Sequence, residues 1–282
     1  MRSTIRWRKM GKAEKTPAEL FLRKEERFCV GACSKFLHKR SRRDKVWVLR
    51  DSGGAVSALL MRFGRTLFPV LGGTGELPRL PFEMRFSGGA PAHSIHGLQR
   101  DVEMFEGAFL RLGYRVTDGQ DYDLLSLDGT PNPGSFRAGP PGLILRKPEH
   151  ADMDRLFLLQ AAYEQEEVLP QGAVFNPAAC RLSLEHILAQ EQILAAELEG
   201  QLVGKINTNA LSFSRYQIGG VYVHPGCRGR GIALRMIGVF AGALIRQGRG
   251  LSLFVKKQNT AARTVYRRAG FTRQADYRIC YY

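Results

Sequence analysis

The sequence lacks the features of a secreted or membrane-spanning protein. Its five cysteines show no paired spacing, and no hydrophobic signal segment stands at the start. Because disulfides belong to oxidising compartments, this pattern predicts a protein of the reducing cytoplasm. The longest apolar run, 236–245, is far shorter than the roughly 20 residues that a transmembrane helix needs. Cys29 and Cys33 lie one helical turn apart near His38, but a zinc site requires a fourth ligand, so we predict core cysteines and no metal.

Acidic residues are also scarce, with 26 Asp and Glu against 42 Lys and Arg and a formal net charge of +16. The first 50 residues hold 16 basic and 5 acidic side chains, an excess of 11. The basic positions form a tail over 1–16 and a cluster over 39–43. Such clusters attract anionic partners such as RNA or the ribosome through salt-sensitive forces. A solvated tail without a partner explains them equally well, and Trp7 alone makes no stacking platform for nucleic acid.

The chain contains a predicted strand that is followed by the sequence CRGRGIA at the start of a predicted helix. Gly229 and Gly231 carry no Cβ, so the backbone can close around an anion with its amides pointing inward. Apolar residues recur with helical spacing from Ile232 onward, which places the loop at the positive end of a helix. Arg228 and Arg230 add two full charges. The pattern predicts a site for a phosphate-bearing cofactor.

A nicotinamide dinucleotide fits this loop poorly. Such a site needs a third glycine and an acidic residue about 20 positions later to hold the ribose. Leu234 stands in the place of the third glycine, and the next strand, 251–255, is followed by Lys256 and Lys257. Only a variant that recognises a 2′-phosphate would remain.

The residues after that strand resemble the second cofactor motif of the GNAT superfamily of acyl-CoA-dependent N-acyltransferases. The matching positions are Asn259, Ala261, Ala262, Tyr266, Gly270 and Phe271. The superfamily's pyrophosphate loop has the form Gln/Arg-x-x-Gly-x-Gly/Ala, and the glycine-rich loop matches it at Arg228, Gly231 and Ala233. The resemblance covers roughly residues 142–282.

The resemblance implies an α/β fold with a mixed sheet in 142–282, and the residue pattern agrees with the expected order of elements. Apolar spacing and turn residues predict the following segments: a strand at 143–145, helices at 152–168 and 177–189, strands at 192–197, 202–210 and 217–224, a helix from Ile232, a strand at 251–255 and a last strand at 277–282. Gly219 and Gly220 inside a strand predict a β-bulge, where neighbouring strands can part.

The N-terminal half is predicted to be a second mixed α/β domain over 17–128, joined by a Pro- and Gly-rich surface linker at 129–141. Its predicted elements are a helix at 17–39, a strand at 45–51, a hairpin at 55–71, a helix at 97–112 and a strand at 122–127. This order is similar to that of the C-terminal half, so we hypothesise a degenerate GNAT-like repeat without the cofactor loop. The hypothesis requires the same strand order in both sheets.

By resemblance the co-substrate is acetyl-CoA. The residues expected to contact it are Val221, Tyr222, Val223, Arg228, Gly229, Arg230, Gly231, Ile232, Ala233, Asn259 and Ala262. Main-chain groups of 221–223 would pair with the pantetheine arm, and one amide there would polarise the acyl carbonyl. The resemblance also implies that Tyr266 is the general acid that protonates the departing thiolate. A tyrosine simply packed on the sheet is the alternative.

In its candidate general base this sequence differs from the better-known members of the family. Many of those members carry a Glu on a central strand. Neither 217–224 nor 251–255 contains a carboxylate. Glu166 and Glu167, with Glu164 beside them, are the candidates, because the first helix borders the acceptor groove in the family; a solvated helix end is the alternative. His224 is expected to support the loop, and Asn207 and Asn209 either orient an acceptor or are simply polar strand residues.

We therefore predict an acetyl-CoA-dependent N-acetyltransferase that acts on an amine in a ternary complex. One rival is a transferase that uses aminoacyl-tRNA, although an intact pyrophosphate loop favours coenzyme A. A second is a non-enzymatic acyl-CoA sensor, consistent with the missing strand carboxylate. A third is a nucleic-acid-binding protein in which the acyltransferase fold is incidental.

Overall fold

The computed structural model of the protein describes residues 6–38, 41, 44–73, 92–170 and 172–282. They form two compact units: unit 1 comprises Met1–Asp123 with Ala275–Tyr282, and unit 2 comprises Leu124–Gln274. Both units combine helices with a mixed sheet, which confirms the predicted α/β class. The start of the basic tail, 1–5, and most of the basic cluster, 39–40 and 42–43, lie outside the described residues.

In the described residues of unit 1, a short strand is followed by two helices, then by four strands and a third helix. Its elements are β1 (Arg8–Lys9), α1 (Lys15–Glu25), α2 (Val30–Leu37), β2 (Lys45–Arg50), β3 (Val56–Phe63), β4 (Thr66–Val70), β5 (Ser94–Leu98), α3 (Gln99–Arg111) and the first part of β6 (Asp118–Leu127). The strands are ordered β1-β2-β3-β4-β5, antiparallel except for the parallel pair β4 and β5. The last residues of the chain pair antiparallel with β5, with Tyr277 opposite Leu98.

Two predicted helices of unit 1 differ in the structure. The helix expected over 17–39 is two helices, because a 3-10 turn at Glu26–Phe28 and the non-helical backbone of Cys29 (ψ 38°) separate them. The helix expected from residue 97 begins at Gln99, since Gly97 and Leu98 belong to β5, a strand that was not predicted. Cys29 and Cys33 are buried and free, as core cysteines would be.

Unit 2 has the predicted order of elements as far as the strand at 251–255, and the last predicted strand, 277–282, belongs to unit 1. The elements of unit 2 are β7 (Ile144–Arg146), α4 (Met153–Tyr163), α5 (Pro177–Gln190), β8 (Ile193–Leu198), β9 (Gln201–Leu211), β10 (Arg215–Val223), α6 (Ile232–Arg246), β11 (Gly250–Lys256), α7 (Thr260–Ala269) and the start of β12 (Thr272–Tyr281). The first helix is shorter than predicted, because its last turn, Glu164–Val168, is π-helical. The Pro- and Gly-rich segment forms a 3-10 helix at Pro133–Arg137, and its Ser135 is buried rather than on the surface.

The sheet of unit 2 is ordered β7-β8-β9-β10-β11, antiparallel except for the parallel pair β10 and β11. This is the order and the direction pattern of unit 1, as the repeat hypothesis requires. One face of the sheet packs on α6 through an apolar core that includes Ile206, Met236 and Phe240. A second cluster, with Leu156 of α4, Leu184 of α5 and Ala195 of β8, covers the other face. The sheet that leads into the predicted cofactor loop therefore has helices on both faces.

Candidate functional site

A cleft of about 360 Å³ lies in unit 2 at the end of β10, between the start of α6 and α7. All but one of the residues predicted to form the site line it: Glu166, Glu167, Val221, Tyr222, Val223, Arg228, Gly229, Gly231, Ile232, Ala233, Asn259, Ala262 and Tyr266. The exception, Arg230, is exposed and does not line the cleft. Both sequence motifs therefore meet at one cavity.

The loop before α6 depends on two left-handed glycines. Gly229 has φ +78° and Gly231, the N-cap of α6, has φ +81°, a region that residues with a Cβ rarely adopt. A Cβ on Gly231 would also lie 2.8 Å from the backbone nitrogen of Gly139, whereas one on Gly229 would meet nothing within 4 Å. The loop is braced by His224, whose Nδ1 accepts a hydrogen bond from the Gly226 amide at 3.3 Å. The helix start is thus left open for an anion.

Arg228 spans the cleft wall. Its Nε donates to the Val223 carbonyl at 3.0 Å, a terminal nitrogen lies 2.7 Å from the Glu166 carboxylate, and its guanidinium lies 5.3 Å from the centre of the Tyr222 ring. The hydrogen bond from Arg228 lowers the pKa of Glu166 below its usual value. The Glu166 carboxylate is therefore occupied by this ion pair, in which both side chains remain partly exposed.

Glu167 is held in a second polar group on the α7 side. Its carboxylate accepts from Asn259 Nδ2 at 3.0 Å and lies 3.4 Å from Lys256 Nζ. Asn259 is the N-cap of α7, since its Oδ1 accepts from the Ala262 amide at 3.0 Å. Asn259 thus fixes the start of α7 and joins it to the end of α4.

Tyr266 lies on α7 and is 7% exposed, with its ring edge-on to Phe271 at a centroid distance of 5.9 Å. Burial, with smaller contributions from Tyr163 and Glu167, raises the pKa of its phenol. The hydroxyl therefore keeps its proton at neutral pH. Tyr266 therefore lines the cleft while its ring also packs in the core, as the alternative has it, and its role as general acid stays a prediction.

The predicted bulge is confirmed. The pairing of β9 with β10 shifts register between Gly219 and Tyr222, and Gly220 has φ +56°. Asn207 is buried against Gly220, and Asn209 lies against Gly219 and accepts a hydrogen bond from Gln217 Nε2 at 2.9 Å. The two glycines are therefore required by the polar side chains of β9.

Two polar residues beside the bulge were missed by the sequence analysis. Lys205 of β9 is 0% exposed, and Nζ donates to Asn207 Oδ1 at 2.8 Å and to the Gly220 carbonyl at 3.0 Å. The Tyr163 hydroxyl accepts from the Gly220 amide at 3.3 Å. A lysine with asparagines at alternate positions after it on one strand was the available signal, but such a row ordinarily predicts a solvated face.

The described residues hold no group of three or more His, Cys, Asp or Glu that could bind a metal ion. Nor is any helix within the described part of the chain long and apolar enough to cross a membrane.

An open helix start beside a bulged strand, in a sheet covered by helices on both faces, is the arrangement that the resemblance to the acyl-CoA-dependent acyltransferases implies. Residues 154–271 match the sequence model of the Acetyltransferase (GNAT) family. Residues 154–271 are therefore similar to the GNAT acetyltransferases, a family that uses acetyl-CoA as co-substrate. No protein with a curated description matches the sequence.

Solved structures extend the likeness of fold to the whole chain. A GCN5-related N-acetyltransferase from Sphaerobacter thermophilus is 16% identical over 99% of this chain and 96% of its own, with a TM-score of 0.60. A tandem GNAT protein from the clavulanic acid biosynthesis pathway is 14% identical over 98% of this chain and 97% of its own, with a TM-score of 0.56. A GNAT-family structure from Novosphingobium aromaticivorans is 18% identical over 59% of this chain and 65% of its own, less than two thirds of that relative, with a TM-score of 0.45.

Proposed function

We propose that the protein transfers the acetyl group of acetyl-CoA to a primary amine, directly and within a ternary complex. The observation that carries this proposal is the meeting of the two motifs at one cleft. The helix start at Gly231 receives the pyrophosphate. The end of β10, residues 221–223, lies beyond the last pair that β10 makes with β11, at Ile218, and it pairs with the pantetheine arm as a strand pairs with a sheet edge.

The chemistry needs a polarised carbonyl, a proton for the thiolate and a neutral amine. A main-chain amide at the bulge end of β10 polarises the thioester carbonyl. The buried hydroxyl of Tyr266 donates its proton to the sulfur as the C–S bond breaks. The acceptor loses a proton before it attacks, and Glu166 and Glu167 were the predicted acceptors of that proton.

The test is calorimetric titration with acetyl-CoA, followed by a screen of amines for release of free thiol. Gly231→Glu places a bulky carboxylate against Gly139 and the pyrophosphate, so we expect binding to be lost. Tyr266→Phe should leave the affinity for acetyl-CoA within about twofold and lower turnover by about 10²-fold or more, the scale of a general acid. Tyr277→Phe, which alters a buried tyrosine outside the cleft lining, is the matched control.

Binding without turnover for any amine would indicate an acyl-CoA-binding protein instead of an enzyme. Equal loss of binding in Tyr266→Phe and Gly231→Glu would remove the role given to Tyr266. Failure of the unaltered protein to bind acetyl-CoA would remove the proposed function itself.

A further inference from the structure

An unpaired cation lies in the wall of the cleft. Among the described residues, the charged side chains that line the cleft are those of Glu166, Glu167, Arg228 and Arg268. Glu166 and Arg228 pair with each other, and Glu167 is held by Lys256 and Asn259. Within the described part of the chain, no carboxylate lies within ion-pair distance of the Arg268 guanidinium. Arg268 is therefore the cation of the cleft wall that remains available to a ligand.

The lack of an acidic partner for this arginine follows from the sequence around it. Between Glu199 and Asp276 the chain contains no Asp or Glu, although it contains 13 Lys and Arg. The elements β9, β10, α6, β11 and α7 all belong to this stretch, so both carboxylates of the cleft come from the end of α4. An anionic ligand therefore meets no acidic residue of α6 or α7.

Arg268 ends a row of side chains along α7. Ala261, Val265 and Arg268 are spaced at i, i+4 and i+7, so they lie on one face of the helix, and all three line the cleft. The first two offer a small apolar surface. The third offers a planar guanidinium group, which can bind a phosphate through two parallel hydrogen bonds. The row therefore fits a ligand with a flat, largely apolar part that carries a phosphate group at its edge.

The backbone of Arg268 is fixed by the Pro- and Gly-rich segment. The last carbonyl groups of an α-helix have no partner within the helix. In α7 the Arg268 carbonyl accepts a hydrogen bond from Asn132 Nδ2 at 3.0 Å, and the Ala269 carbonyl accepts one from the Asn132 amide at 3.0 Å. Asn132 therefore holds the end of the helix from which the Arg268 side chain extends.

The same segment packs against α6, which begins at the glycine-rich loop. A Cβ at Gly238 would lie 2.4 Å from Ser135 Oγ, and a Cβ at Gly231 would lie 2.8 Å from the backbone nitrogen of Gly139, so both glycines allow the segment to approach α6 closely. Ser135 Oγ also donates to the Asn132 carbonyl at 2.6 Å. The end of α7, and with it the unpaired arginine, is therefore held at a set position relative to the loop.

Resting on the proposed function, we propose that Arg268 binds the 3′-phosphate on the adenosine of acetyl-CoA, with Asn132 as its positioning residue. Acetyl-CoA carries phosphate at two separate places, the pyrophosphate and the 3′ position of the ribose. The loop at Gly231 receives the pyrophosphate, which leaves the 3′-phosphate for the unpaired arginine. The adenosine lies along Ala261 and Val265, the apolar part of the same row. Arg268 thereby makes the protein select acetyl-CoA over co-substrates that lack this phosphate.

The experiment compares two ligands that differ in this phosphate alone. Calorimetry measures the affinity for acetyl-CoA and for acetyl-3′-dephospho-CoA, and the ratio of the two affinities is the discrimination. The unaltered protein should prefer acetyl-CoA by about tenfold, the scale of one charge-assisted hydrogen-bonded contact. Arg268→Gln should weaken the binding of acetyl-CoA alone and reduce the ratio to less than about twofold. Arg268→Lys, which keeps the charge and loses the planar fork, should retain part of the discrimination.

Arg267→Gln is the matched control. Arg267 precedes Arg268 on the same helix end and is also exposed, but it does not line the cleft. Both arginines interact favourably with the C-terminal end of the helix dipole, so a loss that arose from α7 itself would occur in both variants. Arg267→Gln should keep the discrimination of the unaltered protein. Asn132→Ala should lower the discrimination by roughly threefold, without an equal loss of affinity for the dephospho ligand.

Discrimination that persists unchanged in Arg268→Gln would overturn the proposal, and so would equal binding of the two ligands by the unaltered protein. An equal loss of affinity for both ligands in Arg268→Gln would also overturn it, because the arginine would then act on the pyrophosphate or on the fold. These outcomes leave the proposed function standing. If the unaltered protein bound neither ligand, the proposed function would fail and this inference with it.

Discussion

Replacing Lys205 with methionine should stabilise unit 2 in a way that depends on pH. Burial lowers the pKa of Lys205 from 10.5 to about 7 in the folded protein, so between these pH values the unfolded chain binds more protons than the folded one. The free energy of unfolding of the unaltered protein therefore rises with pH across this window and falls as pH is lowered toward 7. Methionine fills a similar volume and carries no proton, so the variant lacks this dependence.

The magnitude follows from the two pKa values. For a single group with these values, linkage gives a loss of about 2 kcal/mol of stability on going from pH 9 to pH 7. The difference in unfolding free energy, Lys205→Met minus the unaltered protein, should grow by that amount over the same interval. Buried cysteines with a raised pKa whose causes do not include Lys205, such as Cys280, titrate alike in both proteins and cancel in the difference.

The assay is urea unfolding at several pH values from 7 to 9. Both tryptophans, Trp7 and Trp47, belong to unit 1, so their fluorescence monitors the wrong unit. Hydrogen exchange of peptides from β9, measured across the urea series, follows unit 2 instead. Lys147→Met, which alters an exposed lysine of unit 2, is the control and should show no pH-dependent difference. A difference for Lys205→Met that is constant from pH 7 to 9 would refute the assignment of a buried, largely neutral amine.

Two further predictions concern the affinity for acetyl-CoA, measured by calorimetry. Glu166→Gln frees Arg228 for the pyrophosphate and should tighten the binding of acetyl-CoA by roughly two- to fivefold, the scale of a partly exposed ion pair. The control Glu167→Gln should not tighten it. Unchanged or weaker binding in Glu166→Gln would contradict this prediction. Gly231→Ala combines a left-handed backbone with a contact to Gly139 and should weaken binding more than tenfold, while Gly229→Ala meets no neighbour and should lose less; equal losses would contradict the geometry.

The cofactor loop could be predicted from sequence because its determinants are local. Gly229 and Gly231 set the backbone by themselves, and Asn259 caps the helix that directly follows it. The same locality explains two failures in unit 1. The apolar pattern of 17–39 continues across Cys29, although the backbone at Cys29 is not helical. The strand β5 is so short and so close to α3 that its residues resemble a helix start.

The environment of Lys205 could not be predicted in the same way. On β9 alone, a lysine followed by Asn207 and Asn209 at alternate positions is typical of an exposed face. Its burial comes from α4 and α5, whose contributing side chains, Tyr163 and Cys180, lie 42 and 25 positions earlier in the chain. The change of a solvated amine into an enclosed one is a property of packing between distant segments.

The division of the chain also constrains the order in which it can fold during synthesis. Unit 1 includes Ala275–Tyr282, whose residues pair with β5 and place Cys280 in its core. These residues leave the ribosome only after all of unit 2 has been made. Until then β5 lacks its neighbour and exposes unpaired backbone groups, the condition that favours mispairing. A pause in translation before residue 275 would therefore leave unit 1 without the strand residues that pair with β5.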